Sequence, residues 1–155
     1  MKLTDIETFV VGNPPPHFGG RYFVFVKITT DTGVSGIGEA YCVPFEPHLV
    51  AKMIEDVFAR YVAGNDPHDI ETMWRRVYSS GFTQHPDLTL MGVLSALEMA
   101  CWDIIGKEAN KPVYKLLAGK FTNDCVPIPI SIRGPVTKRM FITILTSPQN
   151  GRPNI

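Results

Sequence analysis

Apolar positions in the first third of the chain fall in short runs rather than helical stripes. Leu3, Ile6, Phe9, Val10 and Val11 carry the apolar weight of an imperfectly alternating stretch over 2–11, which predicts a strand. "GNPPPHFGGR" follows, and its three prolines and three glycines predict an irregular loop of about ten residues. "YFVFVKITTD" (22–31), aromatic and β-branched, predicts a second strand. "DTGVSG" turns the chain, with Gly33 and Gly36 expected to supply positive φ. "GIGEAYCV" (36–43) predicts a third strand, so the three form an antiparallel meander.

From Pro47 the period lengthens. Leu49, Met53, Val57, Phe58, Tyr61 and Val62 recur at three-to-four spacing and predict an amphipathic helix ending near Gly64. Asp66 reads as the next N-cap, with Pro67 first in the helix and Ile70, Met73, Trp74, Val77 and Tyr78 as its buried stripe. "SSGFTQHPD" is a second irregular loop. Leu88 to about Lys107 then reads as a helix apolar on most sides, and such a helix is surrounded by neighbours. A short helix in "NKPVYKLLAG" closes the series, with Pro112 near its start and Gly119 past its end. The fold class is α+β: a three-stranded antiparallel meander followed by a helical bundle.

Composition narrows the functions. The chain has 155 residues, 45% hydrophobic and 19% charged, which suits one soluble domain. Fifteen basic and fifteen acidic side chains cancel, so neither nucleic acid nor an anionic membrane is an expected partner. Asp5 and Glu7 interrupt the apolar start, which rules out a secretory signal. No uninterrupted apolar run reaches the roughly 20 residues of a membrane span. Cys42, Cys101 and Cys125 are odd in number and far apart, which predicts reduced thiols in a cytoplasmic protein and no zinc site.

The candidate chemistry is sparse. "GVSGIG" (33–38) has strands on both sides and reads as a hairpin turn rather than a phosphate loop. Glu98 and Asp103 lie five residues apart on one helix, about 140° apart around it, and are no catalytic pair. Asp103 instead suits an ion pair with Lys107 or nearby backbone donors. His48 and His68 read as surface positions. His17, with Phe18 and Arg21, and His85, with Gln84 and Asp87, lie in irregular loops that could form a binding lip on a rigid frame. No Ser-His-Asp or Cys-His grouping is readable.

Four stretches carry a family likeness: "MKLTDIETFVV", "VFVKITTDTGVSGIGEA", "GNDPHDIETMWRRVY" and, most specifically, "LSALEMACWDIIGKEANKPVYKLLAGK". Over residues 1–120 the chain resembles the amino-terminal capping domain of the mandelate racemase and muconate lactonizing enzyme family, within the enolase superfamily. Ala118 departs from the family's usual glycine. The resemblance implies a lid packed on a (β/α)8 barrel. The barrel's strand ends would carry magnesium ligands and Lys or His bases, which abstract a proton α to a carboxylate while Mg2+ stabilises the enediolate. It implies closing loops at 12–21 and 43–47, with 81–87 beside them. His17, Phe18, Arg21, Phe45 and His85 are then the candidate substrate-binding residues, and this chain holds no catalytic residue or metal ligand of its own. A small carboxylate substrate, a homo-oligomeric parent and the missing barrel as partner follow from the same likeness. The implied parent is a sugar-acid (aldonate) dehydratase. A racemase or cycloisomerase of the superfamily remains open, as do a stand-alone α+β binding module and a functionless fragment.

A barrel needs about 200 residues, and 35 remain after Lys120. Residues 121–155, including "VPIPISIRGP", lack periodicity, and their prolines remove donors from any central strand. Read one nucleotide out of register, codons for Val126 to Arg133 permit Ser-Tyr-Thr-Tyr-Leu-Tyr-Pro, an aromatic strand-like run. Met140 followed by Phe141 forces a valine. The sequence therefore predicts a frameshift near Lys120, with 121–155 an out-of-frame tail and the barrel absent.

Overall fold

The computed structural model describes residues 1–17, 20–41, 45–79, 87–117 and 119, all inside the unit Met1–Cys125. The expected tail, 121–155, lies outside the described residues.

Strands β1 (Leu3–Gly12), β2 (Tyr22–Thr30) and β3 (Ser35–Ala40) form one antiparallel sheet in the order β1-β2-β3. Alternation along β2 places Val24, Val26, Ile28 and Thr30 in the interior and Phe23, Phe25, Lys27 and Thr29 on the other face. The β2–β3 turn closes through Thr30 N–H to the Val34 carbonyl (2.9 Å), with Gly33 at φ 84°. Gly36 does not take positive φ as expected. It lies in β3, and the reason it must be glycine is proximity: a Cβ there would sit 2.0 Å from the Ala100 carbonyl oxygen, and one at Gly38 1.9 Å from that of Ala96.

Helix α1 (Pro47–Val57) opens on Glu46, whose carboxylate accepts from Leu49 N–H (3.1 Å), with Pro47 in the first turn. The expected continuation to Gly64 is not regular. Phe58–Val62 is a π segment, closed by Ala63 N–H to the Phe58 carbonyl (2.9 Å), and it buries both Phe58 and Val62. Helix α2 spans Ile70–Tyr78 and begins later than the Asp66 cap implied. The Asp66 carboxylate is instead engaged locally, accepting from His68 N–H (3.0 Å) and contacting its ring Nδ1 (2.9 Å), so residues 66–69 form a turn. Helix α3 spans Leu88–Glu108, capped by Asp87 (2.8 Å to Thr89 N–H). Helix α4 spans Val113–Leu117, and Gly119, at φ 81°, donates back to the Tyr114 carbonyl (2.8 Å).

Helix α3 lies along β3 and runs antiparallel to it, since positions 36 and 38 meet 100 and 96, and Gly92 meets the Tyr41 carbonyl. Its Val93, Leu94, Leu97, Cys101 and Ile104 share one core with Val24, Val26, Ile28, Ile54 and Val77. The 21-residue α3 contains an 18-residue window of mean hydropathy 1.6, long and apolar enough by length and composition to cross a membrane, although Glu98 and Asp103 interrupt its apolar run. Its packing against the sheet is that of a core helix. The Asp103–Lys107 pair forms as expected (2.8 Å) and does more than expected. Asp103 accepts from Ile37 N–H (2.9 Å) and Lys107 donates to the Ser35 carbonyl (2.7 Å), capping part of the free edge of β3.

Candidate functional site

Register decides which loops meet. Gly12 pairs with Tyr22 and Val24 with Ala40, so the 13–21 loop and the segment leaving β3 emerge at one end of the sheet. The Asp31–Val34 turn lies at the other end. Because α3 runs antiparallel to β3, its first turn also sits at the loop end, where Gly92 approaches Tyr41. Exposed aromatic and cationic side chains gather there: Arg21, Tyr22, Tyr41 and Phe45, beside exposed His17. Tyr41 is 66% exposed and Phe45 50%. A rim of this composition on a rigid sheet suits recognition of a small polar ligand.

The 13–21 loop has an internal scaffold. Asn13 is buried, donating its side-chain amide to the Gly20 carbonyl (2.7 Å) and its backbone N–H to the Arg21 carbonyl (2.8 Å). Its own carbonyl accepts from His17 Nδ1 (2.6 Å). His17 sits at φ 59°, in a left-handed conformation that histidine adopts more readily than most side chains. Of the five sequence candidates, His17 and Arg21 are thus held on a common residue, and Phe45 stands at the same end of the sheet. Phe18 and His85 lie outside the described residues. Asn13, Tyr22 and Tyr41 escaped the sequence reading. An Asn leading a proline run was a usable turn signal, whereas the two tyrosines read as strand residues.

Glu98 accepts from both indoles, Trp74 Nε1 (2.6 Å) and Trp102 Nε1 (3.2 Å). It ties α2 to α3 rather than facing a ligand. A shallow groove of about 770 Å3 along α2 is bounded by Tyr61, Trp74, Arg75 and Tyr78. Its cations are already engaged, Arg75 with Glu71 (2.7 Å) and Arg76 with Asn65 (3.1 Å). Among the described residues no group of three or more His, Cys, Asp or Glu side chains could hold a metal ion. These residues therefore do not fit the magnesium site that the family likeness implies for a whole enzyme.

Residues 11–118 match the model of the mandelate racemase / muconate lactonizing enzyme N-terminal domain. The chain is 39% identical over 123 residues to a D-galactonate dehydratase family member from Pseudarthrobacter chlorophenolicus, a match covering 79% of this chain and 28% of that protein. It is 43% identical over 120 residues to a D-mannonate dehydratase from Novosphingobium aromaticivorans, covering 77% and 28%. A solved structure of the mandelate racemase/muconate lactonizing enzyme type from Labrenzia alexandrii DFL-11 superposes with TM-score 0.76 at 66% identity, over 79% of this chain and 31% of that one. The chain spans less than a third of each of these relatives.

Proposed function

Since the chain belongs to the mandelate racemase/muconate lactonizing enzyme family, as its amino-terminal domain, we propose that it is the substrate-capping part of a magnesium-dependent sugar-acid dehydratase. The observation carrying this reading is the identity of about two residues in five to galactonate- and mannonate-dehydratase relatives across the whole described domain. The loop end of the sheet supplies the means. Arg21 offers hydrogen-bond donors and the His17 ring an acceptor to a hydroxylated carboxylate, and Tyr22, Tyr41 and Phe45 close over its carbon skeleton and exclude water. Magnesium would supply electrostatic stabilisation of charge developing on the substrate carboxylate. No residue described here holds it, so no proton-transfer step is assigned to this chain. The ion and the bases belong to the barrel that fills the rest of the relatives' length. By itself the chain turns nothing over.

The test is to sequence the gene beyond the codon for Ile155, restore any barrel-coding frame found there, and screen acid sugars with magnesium and with EDTA. A 2-keto-3-deoxy acid formed only with magnesium is the expected product. Racemisation or cycloisomerisation in its place would transfer the cap to those reactions. Turnover by the purified 155-residue chain, or an unaltered frame with no barrel behind it, would overturn the reading.

A further inference from the structure

Loop 13–21 is exposed along nearly all its described length, yet it is pinned from inside by one buried amide. Asn13 is 8% exposed, and a buried polar side chain is tolerated only when its hydrogen bonds are made. Three of its bonds run to the loop itself, at Gly20, at Arg21 and at the His17 ring. His17 N–H in turn reaches the Pro14 carbonyl (3.1 Å), and Gly20 N–H the His17 carbonyl (3.0 Å). The two ends of the loop and its histidine therefore share a single anchor.

The anchor has a chemical consequence for the ring. A peptide carbonyl can only accept, so the 2.6 Å contact to the Asn13 carbonyl requires the proton on His17 Nδ1. Nε2 is left as the ring nitrogen without a hydrogen bond among the described residues. Free histidine side chains in water favour the opposite tautomer, with the proton on Nε2, so the loop holds the less common form. His68 is the contrast within the chain, since Asp66 faces its Nδ1 (2.9 Å) and Glu108 its Nε2 (3.3 Å).

We propose that Asn13 is the positioning residue of the lid: by clipping Gly20 and Arg21 it holds His17 as the Nδ1–H tautomer and offers Nε2 to a hydroxyl of a small hydroxy acid. This rests on the capping reading above. Asn13 touches no substrate and acts through His17. Asparagine suits the position because it brings a neutral amide donor to the Gly20 carbonyl from a short side chain. Alanine would leave that carbonyl without its donor. Aspartate, equal in size, would set a carboxylate against the carbonyl oxygen.

The test uses the full 155-residue chain, 15N-labelled, in alkaline buffer where imidazoles are neutral. Two-bond 1H–15N spectra give the tautomer of each of the four histidines, and His17→Gln assigns the His17 signals. Wild type is expected to show the Nδ1–H pattern at His17. Asn13→Asp and Asn13→Ala are expected to lower the Nδ1–H population about fivefold, the population equivalent of one ordinary hydrogen bond. Exchange protection of the Val10 and Val24 amides should be unchanged, which separates a loop effect from loss of the sheet. If Asn13→Ala unfolds, the isosteric Asn13→Asp decides. Diethyl pyrocarbonate labelling read by mass spectrometry checks the same point at low concentration, with His68 as the internal reference. An Nε2–H pattern in wild type, or an Nδ1–H pattern that survives both substitutions, overturns the proposal. No substrate enters these measurements, so their failure leaves the dehydratase reading standing. A restored parent that dehydrates no sugar acid leaves the tautomer result standing.

Discussion

At the residue scale, the tightest constraint is the contact of β3 with α3. A methyl at Gly38 would lie 1.9 Å from the Ala96 carbonyl oxygen, a backbone atom that cannot swing aside. Gly38→Ala is expected to destabilise the chain by about 3 kcal/mol or more, the upper range for overpacking. Gly12→Ala meets nothing within 4 Å and should stay within about 0.5 kcal/mol. Urea unfolding of the two variants side by side checks this, and equal losses would mean that α3 rides further from the sheet. Cys101 makes a second residue-scale case. Burial, with Glu98 adding to it, pushes the thiol up to about 12. It should resist iodoacetamide in the folded chain and react once unfolded, read on the Cys101 peptide by mass spectrometry. An acid raised on folding contributes stability that is whole below its unfolded value and is lost as pH rises toward the folded one. Alkaline unfolding should accordingly set in above about pH 9, and Cys101→Ala should remove that part of the slope. Sequence could locate these residues but not their reasons. "GVSGIG" was legible as a hairpin because strands flank it, yet Gly36 and Gly38 answer to a helix some sixty residues on, a distance no local pattern records.

At the scale of elements, periodicity sufficed to find the strands and the longer helices of the described chain, because each buries one face, whereas α4, which has no buried residue, was legible only from Pro112 and Gly119 at its ends. Periodicity failed where side chains competed with the helix for the backbone. Asp66 spends its carboxylate on His68, so α2 begins at Ile70. Phe58–Val62 widens into a π segment that still buries Phe58 and Val62, an arrangement that three-to-four spacing cannot distinguish from α. The bond from His68 N–H to Asp66, helped by its ring, holds the carboxyl below its usual range. Bonds from Lys52 and from Thr8 do the same at Glu55, which ties α1 to β1. Depressed carboxylates contribute stability above their unfolded values and lose it as pH falls through the folded ones. Urea midpoints should therefore drop as pH falls below the ordinary carboxylate range, and Asp66→Asn with Glu55→Gln should flatten that drop. A doubly substituted chain with an unchanged acid limb would remove these two groups from the account. Docking of α2 on α3 has its own reporter. The chain has two tryptophans, and Glu98 accepts from both. Glu98→Ala is expected to cost about 2 kcal/mol, as for hydrogen bonds to a charged group, and to shift tryptophan emission in the native baseline. An unshifted spectrum would mean the carboxylate is not their shared acceptor.

At the scale of the whole molecule, the arrangement separates a packed frame from an exposed loop. One core runs through the sheet, α1, the π segment, α2 and α3, whereas α4 has no buried residue and the 13–21 loop buries only Asn13 among its described positions outside Gly20. The candidate site was legible in sequence as two odd loops, and the likeness to a capping domain said what such loops do. That the first of these loops and the segment leaving β3 share one end of the sheet needed the register, which fixes Gly12 against Tyr22 and Val24 against Ala40; the loop bearing His85 lies outside the described residues. A lid on such a frame should open locally while the frame stays folded. Native-state hydrogen exchange should then find the Val26, Ile28 and Ile104 amides exchanging only with global unfolding, at a free energy that matches urea denaturation. The His17 and Gly20 amides, held by single bonds in the exposed loop, should exchange through openings that are insensitive to urea. Tryptophan fluorescence and far-ultraviolet circular dichroism should report coincident urea transitions, since both tryptophans belong to the frame. If the loop amides share the global free energy, the cap is one rigid piece. The loop would then part from its anchor at Asn13 only when the whole domain unfolds.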